Sequence, residues 1–311
     1  MKRKMLNVPK GGYDGMKGFT IVEFLVAGLL SIIVLIAVVS SYFTSRKLND
    51  AANERLAIQQ DLRNAATLIV RDARMAGSFG CFNMSEHTEK DVVFDVAQKN
   101  RPFSLKGSSA NKLIPIAESL NIGYQGFAQV RPALIFQYGI DDVNASAETT
   151  VVSSCGVISK PGKQIPTLED AKKELKIQNS GKEQNGNIAR QRHVVNAYAV
   201  GRIAGEEGLF RFQLDDKGKW GNPQLLVKKV KRMDVWYIYV SGCPEDAGKE
   251  EQFKYTDKFD KSRDAVTPAG VEVLLDSGLD AKIAASSDNS IYAYRINATI
   301  RGGNVCANRT L

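Results

Sequence analysis

The chain has 311 residues, 43% of them hydrophobic, enough for one large soluble domain of about 230 residues once a membrane segment is set aside. Its formal charge of +8 is uneven: Lys2, Arg3, Lys4, Lys10 and Lys17 against Asp14 place +4 in the first 18 residues alone. The remainder is unremarkable for its size, so charge makes no case for nucleic acid, and no direct nucleic-acid binding is expected.

Residues 1–18 are polar, basic and glycine-containing, with no apolar segment before Gly18. A secretory signal would be cut after its apolar region, beside small residues. Here the apolar run follows: from Phe19 to Val39, 21 residues are interrupted only by Thr20, Glu23, Gly28 and Ser31. As a helix it spans roughly 32 Å, enough for a bilayer core. A carboxylate at the bilayer centre would cost on the order of 2.5–3.5 kcal/mol on insertion scales. The plain reading is an uncleaved signal anchor with its basic end in the cytoplasm. It explains topology but leaves Glu23 without a role.

Lys17-Gly18-Phe19-Thr20-Ile21-Val22-Glu23 resembles the class III signal of type IV pilins and type II secretion pseudopilins. The resemblance implies cleavage by a prepilin peptidase between Gly18 and Phe19, and N-methylation of Phe19. It also implies retention of Glu23 as the assembly acid. Cleavage would expose an α-amino group on Phe19, positive near neutral pH (pKa ~7.7–8.0). Glu23 of one subunit can then meet that amine on its neighbour and set the stagger, because stranding either charge in low dielectric costs ~3–5 kcal/mol.

No proline occurs between Pro9 and Pro102, so the sequence predicts one helix from Phe19 to about Met75, some 85 Å long. After Val39 it turns amphipathic: Leu48, Ala51, Ile58, Leu62, Ala65, Ile69, Ala73 and Ala76 follow three- and four-residue steps, broken at Arg55. Arg46, Lys47, Asp50, Asp61, Arg63, Arg71 and Asp72 are assigned to its polar faces. Many major pilins carry a proline about twenty residues into the mature helix; Val38-Val39-Ser40-Ser41 stands there instead. A helix without that break is expected to melt less readily, which weighs against a bulk shaft subunit.

Gly77 and Gly80 end the helix, and the exit Arg74-Met75-Ala76-Gly77-Ser78-Phe79-Gly80-Cys81 resembles minor pilins of the PilW type. Ala197–Gly201 leading into Leu209-Phe210-Arg211-Phe212, then Leu225–Val230 with Met233–Tyr237, resemble that family's following strands, and Ile296–Arg301 its last one. Strands are predicted at 133–139, 150–158, 193–201, 209–214, 235–240 and 291–300 from β-branched and aromatic enrichment or alternation. Thr167 is expected to cap a short helix reaching about Ile177. Two charged inserts, 178–192 and 244–268, read as mobile loops.

Four cysteines stand far apart, at Cys81, Cys155, Cys243 and Cys306. Behind an export-like N-terminus an even count reads as two disulfides. Of three connectivities, Cys81–Cys155 with Cys243–Cys306 is favoured because sequential pairs close shorter loops. No catalytic motif is present, and the two histidines, His87 and His193, lie in polar or strand contexts, so an enzyme is not expected and no cofactor is implied. Asp141-Asp142-Val143-Asn144 and Asp215-Asp216-Lys217-Gly218 are fragments of calcium loops better read as turns, so no metal is expected. Lys228-Lys229-Val230-Lys231-Arg232 reads as a solvated face.

The expected fold is therefore α+β and type IV pilin-like: a long N-terminal helix packed on a domain rich in antiparallel sheet. Its parts are a leader (1–18), a transmembrane half-helix (19–45), an amphipathic half-helix (46–76) and a periplasmic globular domain (77–311). The resemblance implies a core minor pilin that primes pilus assembly and sits at the tip, serving twitching, DNA uptake or adhesion. Its partners would be other minor pilins, the major pilin, the prepilin peptidase and a tip adhesin. The expected location is the inner membrane before assembly and the cell surface after it. The rivals are a J-type secretion pseudopilin and a signal-anchored periplasmic binding domain.

Overall fold

The computed structural model describes residues 18–93, 112–177, 187–241, 252–259, 267–276 and 293–300. Two compact units divide the chain, Met1–Ala57 and Ile58–Leu311. Helix α1 (Ile21–Met75) begins in the first and ends in the second. Residues 18–57 are exposed throughout. Leu48 and Ala51, placed on the buried stripe by their spacing, belong to this exposed part.

Within the second unit the stripe is buried at Ile58, Leu62, Ala65, Ile69, Ala73 and Ala76, a 4-3-4-4-3 spacing that keeps one helix face inward. Gly77 then takes a positive φ of 79° and ends the helix, its N–H donating to the Gln137 carbonyl at 2.8 Å. A Cβ there would lie 2.8 Å from Pro115 Cβ, so space as well as backbone conformation calls for glycine.

After the helix come β1 (Ser78–Phe79), β2 (Phe82–Asn83), β3 (Val92–Val93), β4 (Ile116–Ser119), β5 (Ala128–Gln129), β6 (Ala133–Asp141), β7 (Thr150–Ser153) and β8 (Ile158–Ser159). Helix α2 (Leu168–Glu174) follows, with Thr167 as its N-cap, the hydroxyl accepting from Asp170 N–H at 3.1 Å. Then come β9 (Ala189–Ile203), β10 (Glu206–Gln213), β11 (Gln224–Lys228), β12 (Arg232–Ser241), β13 (Gln252–Thr256), β14 (Gly270–Asp276) and β15 (Ala293–Thr299).

Strand β9 organises a nine-stranded sheet. One of its edges takes β6 and β5; the other takes β10 and β7. A second sheet has the order β13-β12-β14-β15. Among the described strands pairing is antiparallel except between β3 and β8, which run parallel. The buried face of α1 shares one core with Leu134, Phe136, Tyr198 and Val200 of the first sheet and with Tyr237, Val271, Val273 and Ile296 of the second.

Three strand expectations change. Residues 150–158 do not form one strand, because Ser154 folds the chain back: its N–H donates to the Val157 carbonyl at 2.8 Å. Gln252–Thr256, inside a stretch read as loop, forms the exposed strand β13. Strand β14 was not foreseen, although its neighbour β15 has the expected alternation, with Ile296 and Ala298 buried and Arg295, Asn297 and Thr299 exposed.

Candidate functional site

The first turn of α1 is built around Thr20 and Glu23. The Thr20 carbonyl accepts the first helical bond, from Phe24 N–H at 3.2 Å, so Thr20 is the N-cap. Its hydroxyl accepts from Glu23 N–H at 3.3 Å, and Glu23 Oε2 accepts from Thr20 N–H at 3.0 Å and from the Thr20 hydroxyl at 3.1 Å. This is a capping box, two orphan donors satisfied reciprocally at the positive end of the helix dipole. The Thr-x-x-Glu signature ahead of an apolar run announces it, and the sequence reading passed over it.

Just before the cap, Gly18 and Phe19 lie in non-helical backbone, with Phe19 91% exposed. A Cβ on Gly18 would meet nothing within 4 Å, and its φ lies outside the positive range. Among the described residues neither packing nor backbone conformation requires glycine at that position. Gly28 is equally unencumbered, although glycine inside a helix costs roughly 0.8–1 kcal/mol relative to alanine.

Cys81 sits at the tip of the β1–β2 hairpin and Cys155 in the turn between β7 and β8; they form a disulfide across 74 residues. It fastens the helix exit to the large sheet. Cys243 and Cys306 lie outside the described residues.

Asp72, assigned to a polar face, is fully buried. Its Oδ1 accepts from Tyr138 OH at 2.9 Å and from the Arg71 guanidinium at 3.1 and 3.2 Å. Its Oδ2 accepts from Tyr198 OH at 2.6 Å and Asn196 Nδ2 at 2.7 Å, with Arg211 3.5 Å away. One helix carboxylate thus meets side chains from β6, β9 and β10. Burial, reinforced by the neighbouring carboxylate, pushes the Tyr138 hydroxyl up to about 12 and the Tyr198 hydroxyl higher still. A third buried tyrosine, Tyr237 on β12, donates its hydroxyl to Glu118 on β4 at 2.8 Å and ties the two sheets together.

Comparison with protein-family models, with curated proteins and with solved structures returned no match.

The remaining sequence candidates have local partners. Asp142 Oδ1 accepts from Asn144 N–H at 2.8 Å, and Asp215 Oδ1 accepts from the N–H groups of Lys217 and Lys219 at 2.9 Å each. Both carboxylates serve turns. Among the described residues no three His, Cys, Asp or Glu side chains gather as a metal set. His193 is buried, its Nε2 3.1 Å from Gln137 Oε1, and His87 stacks on Phe82 with centroids 4.1 Å apart. In the basic cluster Lys228 pairs with Glu206 and Arg232 with Asp234, while Val230 is core.

Proposed function

We propose that this chain is the precursor of a core minor pilin of the PilW type, a structural subunit that primes type IV pilus assembly and sits near the tip. The observation that carries the reading is the composition of the helix start. A glycine with no internal reason to be glycine precedes Phe19, the acid Glu23 occupies the fifth position from the proposed cut, and an exposed helix long and apolar enough to cross a membrane follows. The layout of one long N-terminal helix and a β-rich C-terminal domain is compatible with a pilin.

On this reading a prepilin peptidase cuts between Gly18 and Phe19 and the new terminus is N-methylated. The Phe19 amine of one subunit then pairs with Glu23 of the next. Gathering several staggered helices is the costly step of starting a filament, and a small set of minor pilins supplies the first partly built end. The protein waits in the inner membrane with its domain in the periplasm and reaches the surface with the pilus.

Counting surface pili after deletion of the gene, with retraction active and disabled, tests the proposal. Loss of pili that is relieved when retraction is disabled fits a priming subunit. Unchanged pilus numbers in both backgrounds contradict it.

A further inference from the structure

We propose that the outer edge of strand β13 is a docking site for an extended segment of a partner protein, which adds a strand to the second sheet and carries a carboxylate between two apolar side chains. The site stands on the fold of that sheet and not on the reading of helix α1.

Strand β13 is outermost in the order β13-β12-β14-β15, and among the described residues it pairs with β12 alone. Its far edge offers backbone N–H and C=O groups, the template on which an added strand forms. The near side is firmly held. Residues 252–256 pair in continuous register with 241–237 of β12, and just beyond them the Phe259 ring meets Tyr237 edge to face at 5.2 Å. An edge ordered beforehand spares a partner part of the entropic cost of docking. The opposite edge of the sheet differs: β15 turns Ile296 and Ala298 into the core, and its exposed Arg295 is ion-paired with Glu272 at 2.6 Å.

The two faces of β13 carry different chemistry. Phe253 and Tyr255 are 57% and 58% exposed, lying opposite Val240 and Ile238, and Trp236 extends the same face of β12 at 37% exposure. Aromatic rings beside a free edge invite association. Lys254, exposed between the two rings in sequence, points to the other face, and its charge selects the occupant. When two copies pair antiparallel over all five residues, Lys254 meets Lys254, and like charges directly opposite are destabilising. A second copy is therefore disfavoured. A foreign strand with an acid opposite Lys254 gains an ion pair there, and lays the residues on either side of that acid beside Phe253 and Tyr255.

Fluorescein-labelled peptides of the sequence Ser-Thr-Val-Glu-Val-Thr-Ser, and its counterpart with lysine in place of glutamate, test the site by anisotropy against the purified full-length chain in detergent at low ionic strength. The acidic peptide should bind about fivefold or more tightly than the basic one, and Lys254→Glu should reverse that preference. Two further acidic peptides, N-methylated either at both valines or at the glutamate and both threonines, report on the backbone. Only one edge of an added strand faces the sheet, so one of the two should lose binding and the other keep it. Absent binding, equal affinity for the acidic and basic peptides, a preference unmoved by Lys254→Glu, or the same affinity for both methylated peptides overturns the proposal. Sedimentation of the chain in the same detergent supplies the last arm. A dimer that Phe253→Ser with Tyr255→Ser dissolves would make a second copy the occupant and overturn it too. Processing after Gly18 affects none of these readings, so the site and the pilin reading fail separately.

Discussion

At Asp72 a single carboxylate holds together groups that would each be costly to bury alone. Two tyrosine hydroxyls, an amide and two guanidinium groups converge on it, and removing it strands the donors and the Arg211 charge together. Asp72→Ala should therefore destabilise the domain by about 3–5 kcal/mol. For a domain of this size that lowers the thermal midpoint by roughly 10 °C, readable by circular dichroism of the purified chain. The tyrosines make a separate prediction in alkali. Their hydroxyls are raised in the fold, whereas an unfolded tyrosine ionises near pH ~10. The stability gained from keeping them neutral is complete below pH ~10 and is lost as pH rises through the folded values, about 12 for Tyr138 and higher for Tyr198. Ultraviolet titration should show these tyrosines un-ionised until the fold opens; early ionisation of the full complement would contradict the buried cluster. None of this was legible in the sequence. Asp72 precedes Ala73 on the helix and reads as a polar-face residue, and its hydrogen-bond partners on the strands lie 66 to 126 residues away.

Helix α1 was the most legible element, because its apolar run, its three- and four-residue steps and Gly77 all report on local geometry. What periodicity could not tell was where the stripe becomes buried: Leu48 and Ile58 share a pattern, but only the second has a core to enter. The capping box was also written in the sequence, as Thr20-x-x-Glu23, and it gives Glu23 a structural role beside the proposed docking role. Two substitutions separate them. Glutamine at the third helical position can still complete a capping box, so Glu23→Gln keeps the cap and removes the charge. Glu23→Ala removes both. Both variants should be processed normally and both should impair piliation in a strain unable to retract; normal piliation with Glu23→Gln would assign the acid to capping alone. The helix exit offers a further test. The Cys81–Cys155 bond closes a 74-residue loop, for which chain entropy gives about 4 kcal/mol. Replacing both cysteines by serine should lower the thermal midpoint in step with that value, and an unchanged midpoint would count against its role as a fastening.

For the whole molecule, the α+β layout followed from an apolar helix ahead of β-branched segments. The strands that escaped notice include the short β1 to β5, of two to four residues each, as well as β13, exposed on most of its length and flanked by charge, and β14, whose run Gly270–Asp276 is short and gains definition only from pairing with β12 and β15. Gly28 belongs to this scale, since among the described residues a Cβ there would meet nothing within 4 Å outside its own stretch of helix. If helices of several subunits gather in the membrane, a small residue there lets backbones approach. Gly28→Leu should then leave the isolated subunit folded and processed but weaken its recovery with other pilins in detergent extracts. All of these assembly predictions depend on one event at the N-terminus, cleavage after Gly18. Intact-mass and N-terminal analysis of the exported protein tests it most directly: the account predicts a chain that begins at N-methylated Phe19, and a chain that still carries residues 1–18 would contradict it.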